Sequence, residues 1–286
     1  MLRTACALAL LSTLGCATGP HDVPWMMRGW NDPFPPFRIA GNIHYVGTNR
    51  MALFLVTTPA GHILVDSGFE AGVPVLKKNV EALGFRFEDI KILLFSHAHI
   101  DHVQGHALVR QMTGARVVVS AADAPTVRTG GKEEWAYGDM FSWPPCPVDQ
   151  IVGDGEAVEL GGTRLVAHLT PGHTKGATTW TTTVEEGGRR LAVVFYPSGN
   201  VPPGGKLVDN PAFPGVVAAY EHSFAVWRSL PCDLFLGAHG EFFDLERKWK
   251  RLQAGETPTP FIDPAGYRKE IDEAEKKFRR VLASQR

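Results

Sequence analysis

The segment Ile90-Lys91-Ile92-Leu93-Leu94-Phe95-Ser96-His97-Ala98-His99-Ile100-Asp101-His102 constrains this chain more than any other. Its first part is an apolar run of strand length, which reads as a strand buried on both faces, the kind found in sheets with helices packed against them. At the strand's carboxyl end, four potential metal ligands stand within six positions. Extended backbone sends alternate side chains to the same side, so His97 and His99 can share a face while the following turn brings Asp101 and His102 to an adjacent point. That geometry suits two metal ions held close together. A solvated loop would leave the density of imidazoles unexplained.

Two further histidines also follow apolar strands and are flanked by glycine: Thr170-Pro171-Gly172-His173 after Thr163-Leu169, and Gly237-Ala238-His239-Gly240 after Leu234-Leu236. Alone, each reads more readily as a packed or surface histidine. Beside the first cluster, both become candidate ligands. The remaining histidines, His21, His44, His62, His106, His168 and His222, read as surface or packed side chains.

The other elements predict an α/β architecture. Ile43-Val46, Met51-Thr57 and His62-Val65 form a β-meander, with the turn Pro59-Ala60-Gly61 joining the last two. A helix follows over Val73 to Leu83, then the Ile90-Phe95 strand and another at Arg116-Val119. Strands recur at Ala157-Leu160, Thr163-Leu169, Thr178-Val184 and Leu191-Phe195, with helices at Val216-Leu230 and Asp263-Ser284, the last presenting Ile271, Ala274, Phe278 and Val281 on one face. Strand blocks with interspersed helices, twice over, suggest two sheets back to back with helices outside. Residues 21–38, rich in Pro and Trp, read as an extended arm, and Gly130 to Pro147 as a loop.

Composition narrows the partners. Twenty-nine Lys and Arg against 30 Asp and Glu leave a formal charge of −1, with no basic run to support a nucleic-acid or anionic-membrane partner. The start of the chain, Arg3, an apolar stretch from Ala5 to Leu14, then Gly15-Cys16-Ala17, reads as a secretory signal over residues 1–17 ahead of a single domain over 21–286. An apolar stretch of about ten residues is too short to span a bilayer. Gly15-Cys16 resembles a bacterial lipoprotein cleavage box, which would leave Cys16 as an acylated anchor, and it also fits ordinary signal cleavage. Only Cys146 and Cys232 remain after the signal, and a core thiol and a disulfide are both open readings.

With these residues in place, the sequence resembles the metallo-β-lactamase superfamily, whose signature is His-x-His-x-Asp-His followed by two later histidines. The resemblance covers roughly residues 25 to 284. It implies a four-layer αβ/βα sandwich of two mixed sheets with helices outside and the metals at one edge. The superfamily also holds glyoxalase II-like thioesterases, lactonases and nucleases, so fold alone does not name the substrate. Those hydrolases resemble one another in a metal-bridging Asp within a Ser-Gly-Asp segment after the third histidine; the matching stretch here is Phe195-Tyr196-Pro197-Ser198-Gly199-Asn200, without an Asp. Among class B β-lactamases, the first subclass carries a Cys ligand where this chain has Ser198, and the second has Asn where this chain has His97. The third subclass is the one this chain resembles, also through Trp30-Asn31-Asp32-Pro33-Phe34, Gly41-Asn42-Ile43-His44-Tyr45 and Pro260-Phe261-Ile262-Asp263-Pro264. Ser96 and Gln104 depart from its usual Thr and Gly.

Carried over by motif, the resemblance implies that His97, His99 and His173 hold one Zn²⁺ and Asp101, His102 and His239 a second. Three protein ligands per ion leave positions open for catalysis. The implied reaction is opening of the β-lactam amide of penicillins, cephalosporins and carbapenems by a zinc-bound hydroxide, with Asp101 as both ligand and catalytic orienter. Ser198 and Asn200 become candidates for the substrate carboxylate, and Asp66 a candidate support behind a ligand histidine. The protein is expected to be periplasmic and monomeric. The alternative is a lactone- or thioester-cleaving hydrolase of the same fold.

Overall fold

A computed structural model describes residues 23–132, 134–257 and 259–286 of the chain. The signal reading, the Cys16 anchor and His21 lie outside the described residues, as does the side chain of Trp25.

Among the described residues, twelve strands form two sheets. The first holds β1 (Phe37–Ala40), β2 (Ile43–Tyr45), β3 (Phe54–Thr58), β4 (Gly61–Val65), β5 (Ile90–Leu94), β6 (Arg116–Ser120) and β7 (Gln150–Val152), in that order. β1 to β4 are antiparallel, and β4 to β7 run parallel. The second sheet runs β12-β11-β10-β9-β8, built from β8 (Ala157–Leu160), β9 (Thr163–Leu169), β10 (Thr178–Glu186), β11 (Arg189–Tyr196) and β12 (Leu234–Gly237). Only its β11–β12 pair is parallel. Both sheets are therefore mixed.

Residue alternation sorts the layers. Leu55, Leu64, Leu93, Val117 and Val119 pack with Val73, Leu76 and Val80 of α1 (Val73–Ala82), Val109 of α3 (His106–Thr113) and Val127 of α4 (Ala124–Thr129). Their sequence neighbours Phe54, Val56, Ile63, Val65, Ile92, Leu94 and Val118 point the other way, into the core shared with Leu165, Trp180, Val193 and Phe195 of the second sheet. That core continues to Tyr220, Phe224 and Trp227 of α5 (Val216–Ser229) and to α7 (Pro264–Ser284). The result is the expected sandwich of helices, sheet, sheet and helices. Strands with both faces covered explain why β5 reads as an apolar run interrupted by the exposed Lys91 near its start.

Several details differ from the sequence reading. α7 buries Tyr267, Ile271, Ala274, Phe278 and Leu282, so the stripe closes on Leu282 four residues beyond Phe278, and Val281 is only half-buried. Strand β3 begins at Phe54 instead of Met51, because residues 51–53 turn aside to pair with the segment around His239. The arm ends in a strand, β1, and the short α2 (Ile100–Val103), α3, α4, β7 and α6 (Leu245–Gln253) were not anticipated. Cys146 packs under the first sheet and Cys232 against the other core; both thiols are free, which removes the disulfide alternative. Among the described residues no helix is long and apolar enough to cross a membrane.

Leu64 is fully buried between the first sheet and its helices. Leu64→Ala is expected to cost about 2–5 kcal/mol of stability. An unchanged urea midpoint would contradict this layer assignment.

Candidate metal centre

Strand direction explains why distant residues meet. β4, β5 and β6 are parallel; β9 and β11, each antiparallel to β10, point the same way as one another and as β12. The carboxyl end of each of these six strands delivers a residue to one edge of the sandwich: Asp66, the His97–His102 segment, Asp123, His173, Asn200 and His239. The two sheets are laced together there. Thr178 N–H donates to Ser96 O at 2.8 Å, Trp180 Nε1–H to Phe95 O at 3.1 Å, and Ala52 N–H to Ala238 O at 3.1 Å.

All six side chains singled out in the sequence converge, in two groups: His97, His99 and His173, and Asp101, His102 and His239. Within each, the potential ligand atoms lie within 4.8 Å of one another. His99 Nδ1 is 3.2 Å from His173 Nε2, and His102 Nε2 is 3.2 Å from His239 Nε2. Asp101 Oδ2 lies 3.3 Å from His102 Nε2 and 3.5 Å from His239 Nε2. The rings of His97 and His102 are 4.1 Å apart, so the groups abut.

The surrounding hydrogen bonds fix which nitrogens face inward. His173 Nδ1 is 2.7 Å from the carbonyl of Asn200, which can only accept; Nδ1 therefore carries the proton and Nε2 presents its lone pair to the centre. Tyr220 donates its hydroxyl to the same carbonyl at 2.9 Å. Gly172 before His173 has φ 140°, and a Cβ there would stand 2.8 Å from the Tyr220 ring, so only glycine lets the histidine loop lie this close.

Asp66 sits behind the second group. One oxygen accepts from Ser96 N–H at 2.7 Å; the other lies 2.8 Å from Ser96 Oγ and 3.0 Å from His102 Nδ1. Its backbone is left-handed, φ 61°, a conformation uncommon for a residue other than glycine but one in which aspartate is enriched. Ser96, one of the departures from the family pattern, thereby does the work of a hydroxyl donor, and its Oγ is also 3.0 Å from His97 Nδ1. Gln104, the other departure, is buried and accepts from Glu70 N–H at 3.1 Å.

Electrostatics follow from burial. Desolvation pushes His97 and His173 well below the usual histidine range and His239 to about 4, and the neighbouring imidazoles add to this. These rings are neutral lone-pair donors at pH 7. Burial also works against a charged His102, but the carboxylates of Asp101 and Asp66 outweigh it and raise the pKa to about 10. Asp101 is opposed by burial and still pulled well below the carboxylate range by His102 and His239. Two buried carboxylates thus favour positive charge at this point, and the converging imidazole lone pairs complete a donor set suited to a divalent cation.

Two carboxylates that bear on the centre went unread in the sequence. Asp123 ends β6 as Asp66 ends β4, and that parallel was the available signal. It accepts from Ala98 N–H at 2.9 Å, Thr174 Oγ–H at 2.7 Å and Gly176 N–H at 2.7 Å, joining the loop of His97 and His99 to that of His173. Glu134, in the loop from Gly130, has Oε1 3.4 Å from His99 Nε2. Ser198 and Asn200 both line the cleft over the centre, and Ser198 Oγ also accepts from Asn200 N–H at 3.2 Å, so the turn-forming role is present alongside the place on the cleft wall. The cleft is ≈ 730 Å³, walled by Trp30, Tyr137, Met140, Phe141, Trp143 and Phe242. Val201, Pro203 and Gly204 line it as well.

This geometry has known counterparts. The native FEZ-1 metallo-β-lactamase of Legionella gormanii is 45% identical, with a TM-score of 0.87 over 89% of this chain and 97% of that one. The chain belongs to the metallo-β-lactamase superfamily. The model of that superfamily matches residues 52–181. BJP-1, a subclass B3 metallo-β-lactamase of Bradyrhizobium japonicum, is 35% identical with a TM-score of 0.85 over 91% of this chain and 97% of its own. The protein is thus a hydrolase of this superfamily whose structural relatives include subclass B3, and a bound metal is implied. A hydroxyacylglutathione hydrolase of Fuscovulum blasticum is 33% identical over 128 residues, and this chain spans 41% of that relative's length.

Asp123→Ala would leave three buried donors without their acceptor. It is expected to lower stability by about 1–3 kcal/mol or more. A denaturant melt matching the parent protein would show that the two histidine loops hold together without it.

Proposed function

We propose that the protein is a dizinc β-lactamase that opens the amide bond of penicillins, cephalosporins and carbapenems, and so confers resistance to them. The observation that carries this reading is the turn after β11. It brings Ser198 and Asn200 to the cleft and no carboxylate, so the second group offers Asp101, His102 and His239 without a bridging Asp. The 45% identity to a metallo-β-lactamase across nearly its whole length supports the same reading.

In this reading His97, His99 and His173 hold one Zn²⁺, and Asp101, His102 and His239 the other. When bound, the pair would polarise the lactam carbonyl and make water a competent nucleophile near neutral pH. The chain's own residues do the rest. Asp101 places an acceptor oxygen at the floor of the cleft, where it orients the attacking water. Ser198 and Asn200 stand at the wall to meet the substrate carboxylate, and the aromatic side chains exclude solvent around its apolar rings. Asp66, through His102, keeps the second group in register. The same proposal takes residues 1–17 as a secretion signal, which would make the activity periplasmic, with the protein either free or anchored at Cys16 and acting as a monomer.

A second reading, cleavage of a lactone or thioester, draws on the likeness to hydroxyacylglutathione hydrolase. Purified protein is expected to hydrolyse a carbapenem, lose that activity on chelation and regain it with zinc. If the zinc-restored protein left β-lactams intact but cleaved a glutathione thioester, the second reading would replace the first.

A further inference from the structure

His99 is turned the opposite way from its neighbours. His97, His102 and His173 each use Nδ1 for a supporting hydrogen bond, to Ser96, Asp66 and Asn200, which leaves Nε2 toward the centre. In His99 it is Nδ1 that lies 3.2 Å from His173 Nε2, so Nε2 points away. A histidine that ligates through Nδ1 must carry its proton on Nε2, and a buried N–H needs an acceptor.

The acceptor in place is Glu134. His99 Nε2 and Glu134 Oε1 are both buried, neither has another hydrogen-bond partner among the described residues, and they face each other at 3.4 Å. The second oxygen of Glu134 is held by its own loop, accepting from Ala136 N–H at 2.8 Å and Tyr137 N–H at 2.7 Å. The adjacent Trp135 donates Nε1–H to the His173 carbonyl at 3.0 Å. The loop is thus fastened beside both histidines, and the carboxylate has one oxygen committed to the backbone and one aimed at the ring.

We propose that Glu134 is the positioning residue of the first metal group: its carboxylate holds the Nε2–H tautomer of His99 and so makes Nδ1 the ligand atom. It does for His99 what Asp66 does for His102, from a different element and against the opposite ring nitrogen. The inference rests on the metal-centre reading above but not on the identity of the substrate.

Glu134→Gln separates this role from loop anchoring. The amide oxygen can still accept from Ala136 and Tyr137, whereas the amide NH₂ then meets His99 Nε2–H donor to donor and favours the tautomer with the proton on Nδ1. Zinc affinity is measured by competition with a chromophoric chelator in two backgrounds: His239→Ala, which leaves the first group intact, and His173→Ala, which leaves the second. The substitution is expected to weaken zinc binding roughly 10–100-fold in the first background and to leave the second unchanged. Histidine ¹⁵N spectra of the metal-free protein should show His99 moving from the Nε2–H to the Nδ1–H form. Equal zinc affinity with and without the substitution in the His239→Ala background would overturn the proposal. So would a similar loss in both backgrounds with a lowered thermal midpoint, which would mark Glu134 as a loop anchor alone. A parent protein that bound no zinc would remove the metal reading itself, whereas failure to hydrolyse β-lactams would leave this result standing.

Discussion

Six strand ends from two different sheets meet at one edge, and the chemistry of the centre depends on that alignment. Parallel pairing of β4, β5 and β6 places Asp66, the His97–His102 segment and Asp123 side by side, and the opposing sheet supplies His173, Asn200 and His239. Cross-sheet bonds at Ser96, Phe95 and Ala238 lock the two sets of ends together. A small slide of one sheet over the other would pull His173 and His239 away from the groups they complete. The packed core between the sheets, with Phe54, Trp180 and Phe195 interdigitated, is what resists that slide.

On that frame, each polar group at the site is oriented by a partner that admits one arrangement. A carbonyl fixes the proton of His173, and a carboxylate faces His102 Nδ1. Asp123 takes three donors from two loops. Buried networks of this kind are costly when half satisfied and rigid when complete. That rigidity suits a centre whose donors must stand at fixed separations before any ion or substrate arrives.

Much of this was legible in the sequence because it is local. The apolar run of β5 followed by four ligand-type side chains shows strand, turn and donors in one segment, and the glycines beside His173 and His239 mark close backbone approach. Asp66 was legible for the same reason, as a carboxylate closing a buried strand. Glu134 was not, since it lies in a loop without periodicity and its partner is 35 residues away, a contact that only the tertiary fold creates. The short helices α2 to α4 were missed because four to eight residues give too few turns for an apolar stripe to show. Leu282 was displaced by Val281 through a one-residue drift in following the α7 stripe, and Met51 was read into β3 because an apolar residue before a strand carries no sign that the chain turns aside.

The shared carbonyl of Asn200 has a consequence for how the protein can change over time. Its acceptor belongs to the main chain, so no ordinary codon change at position 200 deletes the group that fixes His173, although a change there could still move the loop. The supports at Asp66 and Glu134 are side chains that one nucleotide change can remove. The site therefore has unequal heritable robustness. The geometry of the histidine groups should survive substitution at position 200, whose side chain meets the cleft, better than at position 66, whose carboxylate sits behind His102.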